Sequence, residues 1–368
     1  MRETTFNVSK QEMMILFNAL IDSGYDKNLQ FSVPLLNGLI LFKFHLKGSG
    51  AQVLNFVVQQ KYLECYIPLA KRLKEHTKNE IPSYNDIQQS FYQAGILKPS
   101  GIEQLEDIFS TLRNQSVIRG GDVYYIALDT NLLRDRFFSV YLKKIPSHPN
   151  LDYILCETVR DELKNRRDKL NRNFLQTITH LKHNILAGCF LNQNCLEDRM
   201  RYVGFLEYNN MRAATSCEEI DAQSRKSGRL NDEIILEAYS SFVDIGRKVI
   251  FISRDNEAVR MMTGEENVIP ILLEHESVIQ TNFATAWDQF FDLLYLLSIL
   301  YGKLNLIVGG VETGSLYGVW KGKDVQEWEQ DRFLLEIFRP RDEDKDEMKD
   351  YQFVVTALKD NLSILKQL

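Results

Sequence analysis

The most regular pattern of apolar and polar positions lies between residues 122 and 280, where short apolar runs alternate with segments of helical periodicity. Val123–Leu128 and residues 249–253 are short and rich in β-branched and aromatic residues, which predicts buried strands. Residues 157–186 follow an apolar run at 153–156 and carry apolar side chains at spacings of three, four and seven, which predicts a long helix. Strands and helices alternating in this way predict a parallel sheet with helices on both faces.

Residues 1–118 show helical spacing and little strand alternation. Ser9 and Glu12 have the spacing of a capping box in front of a helix that starts at Met13. Further helices are predicted over residues 51–73, 85–94 and 102–112. We therefore predict an all-α N-terminal domain with an accessory or oligomerisation role.

Residues 281–368 combine a predicted helix ending at Tyr301 with three apolar runs, a charged loop at 340–350 and a terminal helix. This mixture predicts a small α+β appendage, and the Gly120–Gly121 pair indicates a linker. The predicted fold class is thus α/β, with a parallel sheet flanked by helices. Its predicted domains are a helical accessory domain (1–118), the α/β domain (122–280) and the C-terminal appendage (281–368).

Composition restricts the class of protein. The chain has 368 residues, 44% of them apolar and 26% charged, which argues against long disorder. Its net charge of −6 does not by itself indicate nucleic-acid binding. Five cysteines without a Cys-x-x-Cys pair fit a reducing cytoplasm. The most apolar stretch, residues 290–301, contains Asp292 and is too short to span a bilayer, so we expect a cytoplasmic protein without a membrane partner.

Four acidic residues stand where such a sheet would carry a site. Asp129 and Asp255 each follow a predicted strand, whereas Glu162 and Asp232 lie in the first turns of predicted helices. Because these positions meet at the carboxyl edge of a parallel sheet, we expect the four carboxylates to lie close together. Such a cluster would repel itself unless divalent cations neutralised it, and oxygen ligands favour Mg²⁺ or Mn²⁺.

Each acid also has a simpler explanation. Asp129 and Asp255 suit turns or helix N-caps, and Asp232 suits the start of its helix. Glu162 has Glu157 as a neighbour, and helix dipoles favour acids in first turns generally. We select Glu162 because Val159 and Leu163 flank it with core spacing. Each simpler explanation is strong for a single residue. Together they are weak, because four unrelated helix caps need not occur in this order at one edge of a sheet.

The order of the motifs resembles the PIN-domain nuclease family. These motifs are Asp-Thr-Asn after an apolar strand, Val-x-x-Glu-Leu, Asp-x-Ile-Ile at a helix start and Ser-x-Asp after a further strand, over about residues 123–273. The segment between the second and third motifs is longer than in a minimal PIN domain. Ser253 also stands where many relatives have Thr.

The resemblance implies a metal-dependent endoribonuclease that cuts single-stranded or unpaired RNA, with single-stranded DNA as a further substrate to consider. Asp129 and Asp255 would hold a first ion, and Glu162 and Asp232 would complete the site or bind a second. Asn131 and Ser253 would orient the carboxylates or contact the scissile phosphate. Protein partners implied by analogy are a second copy of the chain and a protein recruited by the N-terminal domain.

Four basic residues near these motifs are candidates for binding the RNA backbone: Arg134, Arg136, Arg160 and Lys164. The alternative is that they are ordinary surface charges on solvated helix faces. The alternative function, from a different class, is a PIN-like scaffold or nucleic-acid-binding module with an idle metal site.

Overall fold

The computed structural model describes residues 3–73, 79–115, 121–164, 172–180, 184–190, 195–214, 216–221, 231–243, 247–276, 278–341 and 344–367. The chain forms two compact units. One, called here the parallel-sheet unit, comprises Gly95–Arg166 and Met200–Val278. The other, the antiparallel-sheet unit, comprises Met1–Ala94, Arg167–Arg199 and Ile279–Leu368.

The described strands are β1 Glu3–Val8, β2 Leu29–Val33, β3 Leu39–Lys47, β4 Gly50–Leu54, β5 Val123–Leu128, β6 Leu151–Cys156, β7 Cys217–Ile220, β8 Arg247–Ser253, β9 Val268–Leu272, β10 Phe283–Ala286, β11 Lys303–Val308, β12 Val311–Tyr317 and β13 Phe333–Phe338. The described α-helices are α1 Met13–Asp22, α2 Gln59–Arg72, α3 Tyr84–Gln93, α4 Ile102–Leu112, α5 Thr130–Arg134, α6 Phe137–Val140, α7 Glu157–Leu163, α8 Arg172–His180, α9 Asn184–Cys189, α10 Leu196–Arg212, α11 Asn231–Phe242, α12 Asn256–Met262, α13 Trp287–Tyr301, α14 Val325–Glu329 and α15 Lys345–Leu365. Short 3₁₀ turns occupy Pro34–Leu36 and Leu142–Lys144.

The parallel-sheet unit is built on five parallel strands in the order β7-β6-β5-β8-β9. Its central strands are apolar along their length because helices cover both faces, and Ile126 and Ile250 are fully buried. Side chains of α4, α7 and α11 complete the same core, among them Leu105, Val159 and Tyr239. The predicted parallel sheet flanked by helices is therefore confirmed at this level of description.

The antiparallel-sheet unit contains eight strands in the order β1-β13-β12-β11-β2-β3-β4-β10. Neighbouring strands run antiparallel throughout, and the first four strands of the chain share this sheet with its last four. N-terminal and C-terminal strands pair at three places, β1 with β13, β2 with β11 and β4 with β10, and Phe31 lies opposite Leu306 in the second of these. The N-terminal and C-terminal segments of the chain are therefore parts of one sheet.

The prediction of an all-α N-terminal domain is wrong. Four strands lie within its first 54 residues, and Ala51–Leu54, predicted to be helical, belong to β4. Leu29–Val33 alternate apolar and polar residues and were a usable strand signal. In contrast, a register shift opposite Phe31 and Ser32 makes Leu41 an extra residue and interrupts the alternation along β3. The strands also depend on partners about 270 residues away in sequence, which local spacing cannot indicate.

Other helix boundaries agree with the sequence pattern in part. α1 begins at Met13, and reciprocal bonds between Ser9 and Glu12 precede it, with N···O distances of 2.6 and 3.2 Å. The long helix predicted over residues 157–186 is wrong, because α7 ends at Leu163 and Lys164 leaves the helical region with a ψ of 127°. Residues 165–171 of that prediction, like Gly120 of the predicted linker, lie outside the described residues.

The charged loop predicted at residues 340–350 is only partly a loop, since α15 begins at Lys345. The apolar helix predicted to end at Tyr301 is α13, and it is almost entirely buried. Its start is later than predicted, because Phe283–Ala286 form β10. In the part of the chain that the structure describes, no helix is long and apolar enough to cross a membrane.

Candidate active site

The candidate site begins where the central strand of the parallel sheet ends. β5 stops at Leu128, and Asp129 is the N-cap of the short helix α5, with extended backbone angles of φ −73° and ψ 159°. Parallel pairing sets Leu128 beside Ile252, and the N–H of Asp129 donates to the carbonyl of Ile252 at 3.1 Å. The turns that follow β5 and β8 are therefore neighbours, as the topology of a parallel sheet requires.

The Asp129 carboxylate accepts hydrogen bonds from three donors. The backbone N–H of Thr130 lies 2.6 Å from Oδ1, while the Ser253 hydroxyl at 2.5 Å and the Asn131 amide at 2.8 Å donate to Oδ2. A carboxylate offers about four acceptor positions. The three hydrogen bonds therefore fix its orientation and leave one position for a further donor or a cation. Asn131 and Ser253, the two predicted orienting residues, thus both donate hydrogen bonds to the Asp129 carboxylate.

Ser253 joins the two turns. Its buried hydroxyl donates to Asp129 and accepts the N–H of Asp255 at 2.8 Å. Asn131 adds a second connection, since its side-chain oxygen accepts the N–H of Arg254 at 3.2 Å. The position of the Asp129 carboxylate is therefore coupled to the backbone of the turn after β8.

Thr130 connects Asp129 to Glu162. Its hydroxyl lies 2.5 Å from Oε2 of Glu162, while its N–H donates to Asp129. Glu162 is half-buried on α7, which leaves the carboxyl end of the adjacent strand β6. One residue therefore holds two acidic side chains in neighbouring positions. Our sequence interpretation gave Thr130 no role, although its place inside Asp-Thr-Asn was a usable signal.

Electrostatics places Asp232 in the same group. Burial is the main cause that raises the pKa of Asp129, and the negative charges of Asp232 and Glu162 raise it further. The hydrogen bonds from Ser253 and Thr130 act in the opposite direction without cancelling the rise. Asp232 itself is exposed in the first turn of α11. The structure therefore brings Glu162 and Asp232 within electrostatic reach of Asp129.

Asp255 is used differently. It is exposed, and its Oδ1 accepts the N–H of Glu257 at 2.8 Å, so that it caps α12. This is the simpler role weighed for it above. The capping bond occupies one carboxylate oxygen, and the other remains a candidate ligand.

Hard oxygen donors suit Mg²⁺ or Mn²⁺, and Mg²⁺ in proteins is often held by one or two carboxylates together with waters and substrate phosphates. Asp129 and Glu162, joined through Thr130, match that small donor set. Among the described residues, no group of three or more acidic, histidine or cysteine side chains is arranged to hold a metal ion. The described residues therefore do not show the expected cage of four carboxylates, and Asp129 and Glu162 are the pair that Thr130 joins by hydrogen bonds.

Two of the predicted RNA-binding residues pair with acids on the protein surface. The guanidinium of Arg160 lies 3.3 Å from Oε2 of Glu157 and 3.6 Å from Oε1 of Glu219, and the side chain is half-buried. Lys164 is exposed and lies 2.9 Å from Asp161. Exposed ion pairs of this type are weak, so Lys164 can exchange its partner for a phosphate more readily than Arg160 can.

The other two predicted RNA-binding residues face the protein. Arg136 interacts electrostatically with buried Glu207. Burial raises the pKa of Glu207, and the positive charge of Arg136 opposes that rise. Arg134 packs against Gly204, where an added Cβ would lie 3.1 Å from its Cγ. These contacts give both arginines a structural role.

A basic residue that sequence reasoning missed lies between Ser253 and Asp255. The Arg254 guanidinium is 2.8 Å from Oδ2 of buried Asp135, and Nε2 of His275 is 3.4 Å from the same oxygen. Burial and the Arg254 charge lower the pKa of His275 to about 3, so His275 is neutral near pH 7. Arg254 keeps 29% of its side chain exposed, and thus presents an anchored positive charge next to the acids.

Tyr239 was also missed. Its fully buried hydroxyl donates to the carbonyl of Leu128 at 3.1 Å and accepts the N–H of Cys156 at 3.2 Å. It therefore joins the ends of β5 and β6, the points from which Asp129 and the helix of Glu162 follow. It lies two turns after Asp232 on α11, where the sequence pattern indicated only a core position.

Comparison of the chain with models of known families, with curated proteins and with solved structures finds no match.

The raised pKa of Asp129 predicts a signature in stability. The folded protein holds this proton more tightly than the unfolded chain, whose carboxyl titrates near its ordinary value of 3.8. The contribution of Asp129 to the free energy of unfolding should therefore fall as pH rises through 3.8 to the raised pKa, and stay low above it. Asp129→Asn lacks this loss, so its stability relative to wild type should increase from about pH 3 to about pH 7.

Urea unfolding of both proteins across this range, without divalent ions, measures the difference. Asp107→Asn, which removes an exposed carboxylate from α4 of the same unit, is the matched control. If the difference in the free energy of unfolding between Asp129→Asn and wild type is independent of pH, then burial and the neighbouring acids do not raise the pKa of Asp129.

Proposed function

We propose that the protein is a divalent-metal-dependent nuclease of the PIN type that hydrolyses single-stranded or unpaired RNA. The observation that supports this most directly is the Asp129 carboxylate, which is half-buried, oriented by three donors and repelled by two further acids. Such a carboxylate is unfavourable without a counterion and gains stability when a cation binds. Its position at the carboxyl end of the central strand is where open α/β sheets bind ligands.

In this proposal Asp129 and Glu162 hold a Mg²⁺ or Mn²⁺ ion, and substitution of Asp255 decides whether its second oxygen joins them. When bound, the ion lowers the pKa of a water and shields the negative charge that develops on the phosphate. The protein supplies orientation. Ser253 and Asn131 keep the Asp129 oxygens in place, and Thr130 does the same for Glu162.

Arg254 is the residue that we assign to the RNA backbone. It is anchored to Asp135 through one terminal nitrogen, and a guanidinium has further N–H donors in a rigid plane. A phosphate bound there would meet a positive charge beside the carboxylates that hold the ion. Arg136 lies near buried Glu207, Arg134 packs against Gly204, and Arg160 is shared between Glu157 and Glu219, which favours Arg254 over them.

The second candidate function is a nucleic-acid-binding or scaffolding module with an idle metal site. The capping role of Asp255 and the internal contacts of three predicted RNA-binding residues favour it. The N-terminal segment that would recruit a partner in this candidate contributes four strands to a sheet and also forms helices α1–α4. This candidate requires RNA binding without divalent-dependent cleavage.

Asp129→Asn should abolish cleavage because it removes the central charged ligand while keeping the shape of the side chain. Wild-type protein should cleave single-stranded RNA with Mg²⁺ or Mn²⁺ and not with a chelator. Ser253→Ala, which removes only an orienting hydroxyl, should reduce the rate by about 10- to 100-fold. Gel analysis of labelled RNA and single-stranded DNA measures these effects, with Asp107→Asn as the control. Absence of cleavage by wild type with either ion would leave only the second candidate.

Substitutions of Asp255 separate metal binding from helix capping. Serine caps a helix about as well as aspartate, whereas alanine lowers the free energy of unfolding by about 1 kcal/mol. If Asp255 binds the ion, Asp255→Ser and Asp255→Ala should both lose cleavage, while only Asp255→Ala loses thermal stability. Full activity of Asp255→Ser would limit Asp255 to capping and leave Asp129 and Glu162 as the ligands.

Arg254→Gln should weaken RNA binding by about 10- to 100-fold, since hydrogen bonds to charged groups contribute about 1.5–3 kcal/mol. Fluorescence anisotropy with a labelled single-stranded RNA, in the Asp129→Asn background, measures binding without cleavage. Arg260→Gln removes an exposed arginine from α12 and is the matched control.

Arg254→Lys keeps a positive charge beside Asp135 and loses the planar donor set. If Arg254 only neutralises Asp135, the lysine variant should bind RNA as wild type does. Unchanged binding by both variants contradicts the assignment of Arg254 to the RNA backbone.

A further inference from the structure

A cleft of about 490 Å³ lies in the antiparallel-sheet unit, outside the residues of the proposed nuclease site. Its walls are α1, the hairpin of β11 and β12, the end of β13 and the first turns of α15. Small-molecule sites commonly have volumes of about 300–1,000 Å³. The cleft therefore has the size of a ligand site that the nuclease proposal does not explain.

The floor of this cleft is apolar. Leu16 and Leu20 lie one turn apart on α1, Leu306 and Val308 lie on one face of β11, and Val354 comes from α15. Each of these side chains is no more than 6% exposed, so the floor is part of a packed core. An apolar group placed here would be removed from water on several sides.

The rim of the cleft is charged, with an excess of acids. Four carboxylates line it, from Glu312, Asp344, Glu347 and Asp350, against the two guanidinium groups of Arg339 and Arg341. Two negative charges are therefore left over, 4 − 2, among the lining residues. A low-dielectric floor strengthens the field of such a rim, which favours a positively charged ligand group.

Tyr25 shows where the negative potential is concentrated. Its hydroxyl donates to Oδ2 of Asp350 at 2.7 Å. This bond is the main cause that raises the pKa of Tyr25, followed by burial and by the charges of Asp350, Glu347 and Asp346. Helix-dipole stabilisation explains acids in the first turn of α15, such as Glu347, but Asp350 lies beyond that turn.

We propose that this cleft binds a small amphipathic organic cation, with its apolar body on the floor and an ammonium or guanidinium group against the carboxylates of the rim. The floor accounts for the apolar body, and the excess of carboxylates accounts for the sign of the head group. An anionic ligand would meet net repulsion from the same rim. The proposal is independent of the nuclease function and concerns a different unit of the chain.

The test compares three probes that share one apolar body: octylamine, octan-1-ol and octanoate. Isothermal titration calorimetry with the full-length chain at neutral pH should give a Kd for octylamine at least about tenfold lower than for octanoate, with octan-1-ol between them. Each probe that binds should also raise the temperature of thermal unfolding. This series needs no variant and therefore does not depend on the folding of a mutant.

Variants then locate the head group. Asp350→Asn and Glu312→Gln should each weaken octylamine binding by about three- to tenfold and leave octan-1-ol binding unchanged. Asp360→Asn, an exposed substitution further along α15 and away from the cleft, is the matched control. Glu312 is exposed in β12, so its variant tests the rim without disturbing the core.

Three results would overturn the proposal. Equal affinity for the three probes would show that only the apolar floor contributes. Tighter binding of octanoate would show that Arg339 and Arg341 dominate the rim. Absence of binding by octylamine would show that the cleft is not a ligand site for such cations.

Discussion

The site depends on one constraint, which is the position of the half-buried Asp129 carboxylate at the point where β5 ends beside β8. Parallel pairing of β5 with β8 sets Leu128 beside Ile252, so that Asp129 and Ser253 emerge next to each other. Burial and neighbouring acids disfavour the charge, and three hydrogen-bond donors offset part of this effect. The repulsion that remains is what a bound cation would relieve. In the proposed nuclease, the side chain that lowers stability without a cation is therefore the one that would bind it.

The surrounding residues transmit this constraint to the other elements. Thr130 bonds to both Asp129 and Glu162, and Tyr239 joins the carbonyl of Leu128 to the N–H of Cys156. Both residues connect β5 to β6 at the edge from which the acids project. Asp232 is carried by the same helix as Tyr239, so its position follows from the burial of that tyrosine. The acids are held near one another by groups that are not themselves charged.

The antiparallel-sheet unit is organised differently, because strands from the two ends of the chain pair within its sheet. The pairing of β2 with β11 joins segments that are about 270 residues apart in sequence. The two units also differ in their candidate ligand chemistry. The acids of the parallel-sheet unit suit a hard cation, whereas the cleft of the antiparallel-sheet unit combines an apolar floor with an acidic rim. Such a division allows one chain to carry two separate binding functions.

The sequence by itself determined the elements whose signals are local: the strands ending at Leu128 and Ser253, the start of α1 at Met13, and the placement of Asp129, Asn131 and Ser253 after those strands. Continuous apolar runs and capping residues specify such features within a few positions. Only the tertiary structure decided that β2 pairs with β11 and β4 with β10, because these partners lie about 230 to 270 residues apart in sequence. It also decided which charges are already paired. Arg136 and Arg160 face Glu207 and Glu219, about 60 to 70 residues away, whereas Arg254 is anchored beside the acids. A charged side chain can bind a substrate only when the residues around it in space leave part of it accessible. Sequence spacing does not show which residues those are.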